Sequence, residues 1–222
     1  MGKLIVLEGT DGSGKSTQLR LLTERLTREG AEYRTLRFPR YDNPSSSLIR
    51  MYLGGEFGAD PGDVNAFAAS AFYAVDRFAS YQTEWKSYYQ SGGTLLSDRY
   101  TTSNAIHQAS KLPEGEREAF WRWLYDFEFG KMGLPAPDLV LCLDMPVGLT
   151  ERLMRRREEE SHTAADIHER NTAYLDECRR CARAAAAFYG WTVVPCAEDG
   201  RILPAEEIHE TIYGRVAACL EG

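Results

Sequence analysis

Between residues 9 and 16 the chain reads Gly9-Thr10-Asp11-Gly12-Ser13-Gly14-Lys15-Ser16, with Thr17 next. The spacing is G-x-x-x-x-G-K-[ST]. The glycines let successive backbone N–H groups turn toward an anion, and a helix starting behind them presents its positive end to the same anion. At this spacing Lys15 reaches the outer phosphate oxygens of a nucleoside triphosphate, and the Ser16 hydroxyl can hold Mg²⁺. Glycine-rich turns also match by chance, so context decides. Here an apolar run, Lys3 to Glu8, leads into the loop, and Lys15 to Arg28 follows with Leu19, Leu22 and Leu26 at helical spacing. Gly9 to Thr17 is therefore read as a nucleoside-triphosphate-binding segment.

A second group with chemistry closes another apolar run: Ser97-Asp98-Arg99-Tyr100. In a parallel sheet the strand carboxyl ends face the ligand crevice. Asp98 there would orient a metal-bound water, and the planar fork of Arg99 would clamp a phosphate. A purely structural Asp–Arg pair carries the same signature. Small-molecule kinases, GTPase switches and motor ATPases share the triphosphate loop. A GTPase would show an Asn-Lys-x-Asp segment to read its base, and the sequence contains none.

The elements that must position these residues follow from pattern. Lys3 to Glu8, Tyr33 to Phe38, Thr94 to Asp98, Asp138 to Asp144 and Trp191 to Pro195 read as strands. Asp138 to Asp144 is apolar without alternation, as a sheet covered on both faces requires. Gly30 fits the end of the first helix. Val64 to Tyr89 is the longest helical pattern and ends at Gly92-Gly93. Further helical stretches contain Phe120, Trp121, Trp123 and Leu124, and then Ile208, Ile212, Val216 and Leu220. Strands alternating with helices predict an α/β fold, a parallel sheet with helices on both faces, as one domain over 1–222.

Composition narrows the class. The 222 residues hold 26 Lys+Arg against 33 Asp+Glu, a net charge of −7. That balance argues against binding nucleic-acid polymers, and the apolar runs are too short to cross a membrane. Hydrophobic residues make up 43% and charged residues 27%, which excludes low-complexity and collagen-like sequence. No signal peptide is read at the N-terminus. Five scattered cysteines, Cys142, Cys178, Cys181, Cys196 and Cys219, fit a reducing cytoplasm. Cys178-Arg-Arg-Cys181 lies in a helical, Arg- and Ala-rich stretch and is read as two ordinary helix residues.

Five segments in order resemble the thymidylate kinase family of phosphate-binding-loop kinases. They are Glu8 to Gln18, Phe38-Pro-Arg-Tyr41, Phe72-Tyr-Ala-Val-Asp-Arg77, Ser97-Asp-Arg-Tyr100 with Ser103 to Gln108, and Leu143-Asp-Met-Pro146. The resemblance spans nearly the whole chain. It implies phosphoryl transfer from ATP to dTMP, giving dTDP and ADP for dTTP synthesis. Asp11 resembles the carboxylate beside the sugar 3′-hydroxyl, and Phe38, Arg40 and Tyr41 the segment that meets the acceptor phosphate. Arg99 is similar to the arginine bridging donor and acceptor phosphates. Tyr73 and Arg77, four apart on one helix face, resemble the pair that stacks on and hydrogen-bonds the thymine. On pattern alone they also fit a core tyrosine beside a surface arginine. Asn104 and Gln108 look like residues lining base and sugar. Relatives usually carry an aromatic residue where this chain has His107, which leaves open how a 2′-hydroxyl is excluded.

Where some relatives place an arginine after the loop's acidic residue, this chain has Gly12. Relatives with glycine at that position supply the cation from a mobile lid instead, here about 150–170. Arg155, Arg156 and Arg157 are the candidates for it, Arg152 lies beside them, and Asp166 and Glu169 resemble the lid's acidic end. A solvated charge run balanced by Glu158 to Glu160 has the same composition. The resemblance further implies Mg²⁺ held by Ser16 and, through water, Asp98, together with a homodimer formed through the Val64 to Phe78 helix. Two rivals remain open on sequence: a related kinase acting on another nucleotide or a nucleoside, and a regulatory nucleotide-binding module.

Overall fold

The computed structural model describes residues 1–149 and 172–221. Five strands, β1 (Lys3–Glu8), β2 (Arg34–Arg37), β3 (Thr94–Asp98), β4 (Leu139–Asp144) and β5 (Thr192–Pro195), form one sheet in the order β2-β3-β1-β4-β5. Every pairing is parallel, so all five carboxyl ends lie along one edge. The register sets Leu7 beside Asp98 and Glu8 beside Cys142. Glu8, Asp98 and Asp144, the last residues of three adjacent strands, thus rise from the same crevice.

The apolar strand sequences are explained by what covers them. Ile5, Leu7, Leu96, Leu141 and Leu143 pack against α1 (Lys15–Arg28) and the C-terminal helix α8 (Ala205–Glu221). Leu4, Val6, Leu95 and Val140 face the other way, onto Trp85, Tyr89 and Tyr100. On that side lie α2 (Ser47–Leu53), α3 (Ala66–Ser80), α4 (Lys86–Gln90), α5 (Thr101–His107), α6 (Glu114–Tyr125) and α7 (Thr172–Tyr189). Each fully buried leucine or valine contributes about 1.5–3 kcal/mol. A polar residue within either face would forfeit that gain.

The helix predicted over Val64 to Tyr89 is α3, a wide π turn at Tyr81–Trp85, and α4. Asn65 caps it by accepting from the Ala68 N–H. The π turn buries Tyr81 and Trp85 beneath the sheet, and the Trp85 indole N–H donates to Ser80 Oγ at 3.1 Å. A second π turn, Asp126–Lys131, follows α6. The sequence reading assigned no element to α5 or to the small hairpin of β6 (Ala197–Glu198) and β7 (Arg201–Ile202). Cys178 and Cys181 are free and buried within α7, where burial pushes their thiols up to about 11 and about 12.

Candidate active site

The loop between β1 and α1 has the shape its glycines predict. Gly9 sits at φ 151°, and a Cβ there would lie 2.6 Å from Ser13 Oγ and 2.9 Å from the Leu143 carbonyl oxygen. Only glycine fits. Gly14 caps α1 in the left-handed region at φ 93°, and the first turn of α1 carries no acidic side chain. Its N-terminal N–H groups are thereby left to an anion. Lys15, buried, donates from Nζ to the carbonyls of Gly9 (2.8 Å) and Thr10 (2.9 Å). Burial, aided by the Arg99 charge, pulls its pKa down to about 8 against the carboxylates of Asp11, Glu8 and Asp98. A polyphosphate in this loop would relieve that cost.

Arg99 occupies the centre of the crevice, just past β3. It is a non-glycine residue at φ 66°, an uncommon conformation, and the Ser97 hydroxyl donates to its carbonyl at 2.6 Å. Its Nη2 donates to Asp11, and Nη1 reaches Ser103 Oγ (3.2 Å), His107 Nε2 (3.2 Å) and Glu8 Oε1 (3.4 Å). Burial opposes its charge, and Asp11, Glu8 and Asp98 more than offset burial, so its pKa is raised. Glu8 is fully buried and fully used. It also accepts from the Gly9 N–H, Thr102 Oγ1 and Ser103 Oγ. The loop and the end of β3 are therefore one hydrogen-bonded unit.

Beside Arg99 opens a cleft with about 580 Å³ of free space, counting the solvent at its open mouth. Asp11, Phe38, Tyr41, Tyr73, Arg77, Arg99, Asn104, His107 and Gln108 all line it. The structure thus gathers nine of the ten residues predicted to bind the acceptor. Arg40 is not among the lining side chains. Its backbone N–H and guanidinium are taken up by Asp76 on α3, Glu84 on the π turn that follows it, and Ser45, which fasten the Phe38–Tyr41 segment in place. Arg77 is no surface arginine. It is 1% exposed and paired side-on with Glu128, Nε to Oε2 at 2.6 Å. Glu128 also accepts from Thr101 and Asn104 and is itself fully buried.

Glu128 was missed by sequence reasoning. It lies in the second π turn, 51 positions from Arg77, among aromatic residues that carry no charge pattern. Glu8 begins the segment Glu8 to Gln18, and the sequence pattern predicts no role for its carboxylate. Its place as the last residue of an apolar strand running into the loop was the available signal. Arg152, Arg155, Arg156, Arg157, Asp166 and Glu169 lie outside the described residues.

A divalent ion has a fitting place. The buried Oδ1 of Asp98 meets no hydrogen-bond donor among the described residues, while Oδ2 is 3.8 Å from Arg37 Nε. Ser16, in the first turn of α1, is exposed. No cluster of three or more His, Cys, Asp or Glu among the described residues could bind a metal alone. The donor set suits a hard cation that takes its remaining oxygens from phosphate and water. No helix among the described residues is long and apolar enough to cross a membrane.

Residues 7–212 match the family model described as thymidylate kinase. The chain is 31% identical over 190 residues to the thymidylate kinase of Mycobacterium tuberculosis, covering 85% of this chain and 87% of that one. It is 33% identical over 220 residues to a probable thymidylate kinase of Thermococcus kodakarensis, covering 98% and 96%. A solved structure of the Candida albicans thymidylate kinase superposes with a TM-score of 0.71 over 98% of this chain and 92% of that one, at 20% identity. That likeness supports the phosphate-binding-loop α/β kinase fold. With the family model spanning nearly all of it, this chain belongs to the thymidylate kinase family.

Proposed function

We propose that the protein transfers the γ-phosphoryl group of ATP to the 5′-phosphate of dTMP, giving dTDP and ADP. The observation that carries this reading is the position of Arg99. It is hydrogen-bonded to Asp11 on the triphosphate loop and at the same time lines the cleft that holds Tyr73, Arg77 and Asn104. One guanidinium thereby stands between two anion sites, as transfer between two phosphates demands. Membership of the family supplies the identity of the substrates.

The chemistry then follows from charge. An oxygen of the acceptor phosphate attacks the γ-phosphorus in line, and the bond to the β–γ bridging oxygen breaks. The acceptor is already an anion, so no strong base is needed. Catalysis is positioning and neutralisation of charge in a site closed to water. Lys15 and the N-terminus of α1 hold the donor phosphates, and Arg99 bridges the two substrates. Tyr41 and Phe38 bound the acceptor site, Tyr73 stacks on the thymine, and Arg77, with Asn104 and Gln108, reads its polar edge. Asp11 stands by the sugar. One or two of Arg155, Arg156 and Arg157 supply the remaining catalytic cation. Mg²⁺, held by Ser16 and through water by Asp98, spreads the phosphate charge when bound. The five free cysteines suit a reducing compartment, and we place the protein in the cytoplasm.

ATP, Mg²⁺ and a panel of nucleoside monophosphates test the reading. ADP should form rapidly only with an acceptor present, and fastest with dTMP. Lys15→Ala should cut turnover at least a hundredfold, roughly what a lost transition-state contact removes, while the melting temperature moves little. Acceptor-independent hydrolysis, or full turnover without Lys15, would refute it.

A further inference from the structure

We propose that His107 is a positioning residue for Arg99, holding it by a hydrogen bond whose direction is fixed from α7 through Cys178. This rests on the reading of Arg99 as the bridge between the two phosphates.

The donors decide the argument. Arg99 Nη1 lies 3.2 Å from His107 Nε2, and a guanidinium has no lone pair to offer. Nε2 must therefore accept, which places the ring proton on Nδ1. Nδ1 lies 3.5 Å from Cys178 Sγ, so that proton points at the sulfur. The thiol proton needs its own acceptor. Ser110 Oγ is 3.4 Å from the sulfur, and its own proton goes to the His107 carbonyl at 2.9 Å. Cys178 accordingly donates to Ser110. The circuit closes on His107, and the Tyr174 hydroxyl, which also meets Cys178 and Ser110, donates to the same carbonyl at 2.8 Å. Burial of Cys178, which pushes its thiol up to about 11, keeps the S–H in place.

The consequence reaches the reaction. Arg99 holds a backbone conformation uncommon for its type, and its fork is divided among Asp11, Glu8, Ser103 and His107. Asp11 and Glu8 pull it toward the loop by charge. His107 is a neutral acceptor for the same Nη1 that reaches Glu8, so it steadies the fork without using up charge meant for phosphate. Because Cys178 and Tyr174 lie on α7, the bond also ties Arg99 to the helix that follows residues 150–171 in sequence.

Two variants separate this from plain packing. His107→Phe keeps an aromatic ring and removes the acceptor, whereas His107→Gln restores an acceptor oxygen. The first should lose about tenfold or more in kcat, the scale of a slightly misplaced catalytic group, with the KM for ATP unchanged. The second should recover most of that loss. Nitrogen-15 spectra of the unmodified protein should show one of its four histidines as the neutral form protonated on Nδ1. This readout stands even where His107→Phe fails to fold. Wild-type kcat in a folded His107→Phe variant, or a His107 signal protonated on Nε2, would overturn the proposal alone. An unmodified protein inactive on every monophosphate would overturn the kinase reading, and this inference with it.

Discussion

Arg77 and Glu128 form the most deeply buried ion pair described, at 1% and 0% exposure. Each charge has lost its water, and each survives because the other, with Thr101 and Asn104, replaces it. Removing one partner strands the other, which costs about 3–5 kcal/mol. Glu128→Ala should therefore lower the free energy of unfolding by that amount in urea titration and raise the KM for dTMP, since Arg77 would no longer be held at the cleft. A loss below about 1 kcal/mol would mean that the pair is solvated and that Arg77 is not built into the site. Arg77 was legible in the sequence because a helix sets it four residues from Tyr73. Glu128 was not, because a carboxylate recruited across 51 residues leaves no local period.

Asp144 does for a whole element what Glu128 does for one side chain. It ends β4, is nearly buried, and accepts from Arg179 Nε (2.7 Å) and from Arg183 Nε (3.0 Å) and Nη2 (2.6 Å), both on α7. Burial would raise its pKa, and the two guanidinium groups win, so the carboxyl lies below its ordinary value. A carboxyl depressed by folding adds stability above its unfolded pKa and loses it as pH falls through the folded one. Asp144→Asn should cost about 1–2 kcal/mol at pH 7, with Arg183 counting less because it is half in solvent. The gap from the unmodified protein should close as the pH drops below about 4 in thermal melts. A gap that persists at acid pH would assign the effect to packing. Most elements were readable because two-faced burial and helical spacing repeat within ten residues. The π turn at Tyr81–Trp85 was not, since Tyr81, Trp85 and Tyr89 keep a spacing of four, and tertiary packing of Trp85 sets the extra residue. Short α5 escaped because Thr101 to His107 is buried nearly all round and shows no amphipathic stripe.

Across the whole molecule, a net charge of −7 coexists with Lys15 in the loop and with Arg77 and Arg99 lining the cleft, each set against buried carboxylates, so local placement rather than total charge governs binding. The same scale raises the question of what covers α3. Its inner side carries Tyr73 and Arg77 into the cleft, yet Phe67, Val75 and Phe78 remain 44%, 49% and 37% exposed. Phe67 packs against the rings of Phe120 and Trp123 and still has solvent on its far side. A helix that is buried on one side and carries large apolar residues on the other belongs between two packed layers, and the described residues supply one. We infer that a second copy supplies the other, in a symmetric dimer in which the patch faces itself. Sedimentation at micromolar concentration should then give twice the 25.0 kDa of the chain. Val75→Glu should shift the protein to the monomer, because two facing carboxylates would lose water without gaining a partner. An unmodified protein that sediments as a monomer would show that α3 meets only solvent on this side. Because α3 carries acceptor-site residues on its other side, dissociation should also raise the KM for dTMP more than the KM for ATP.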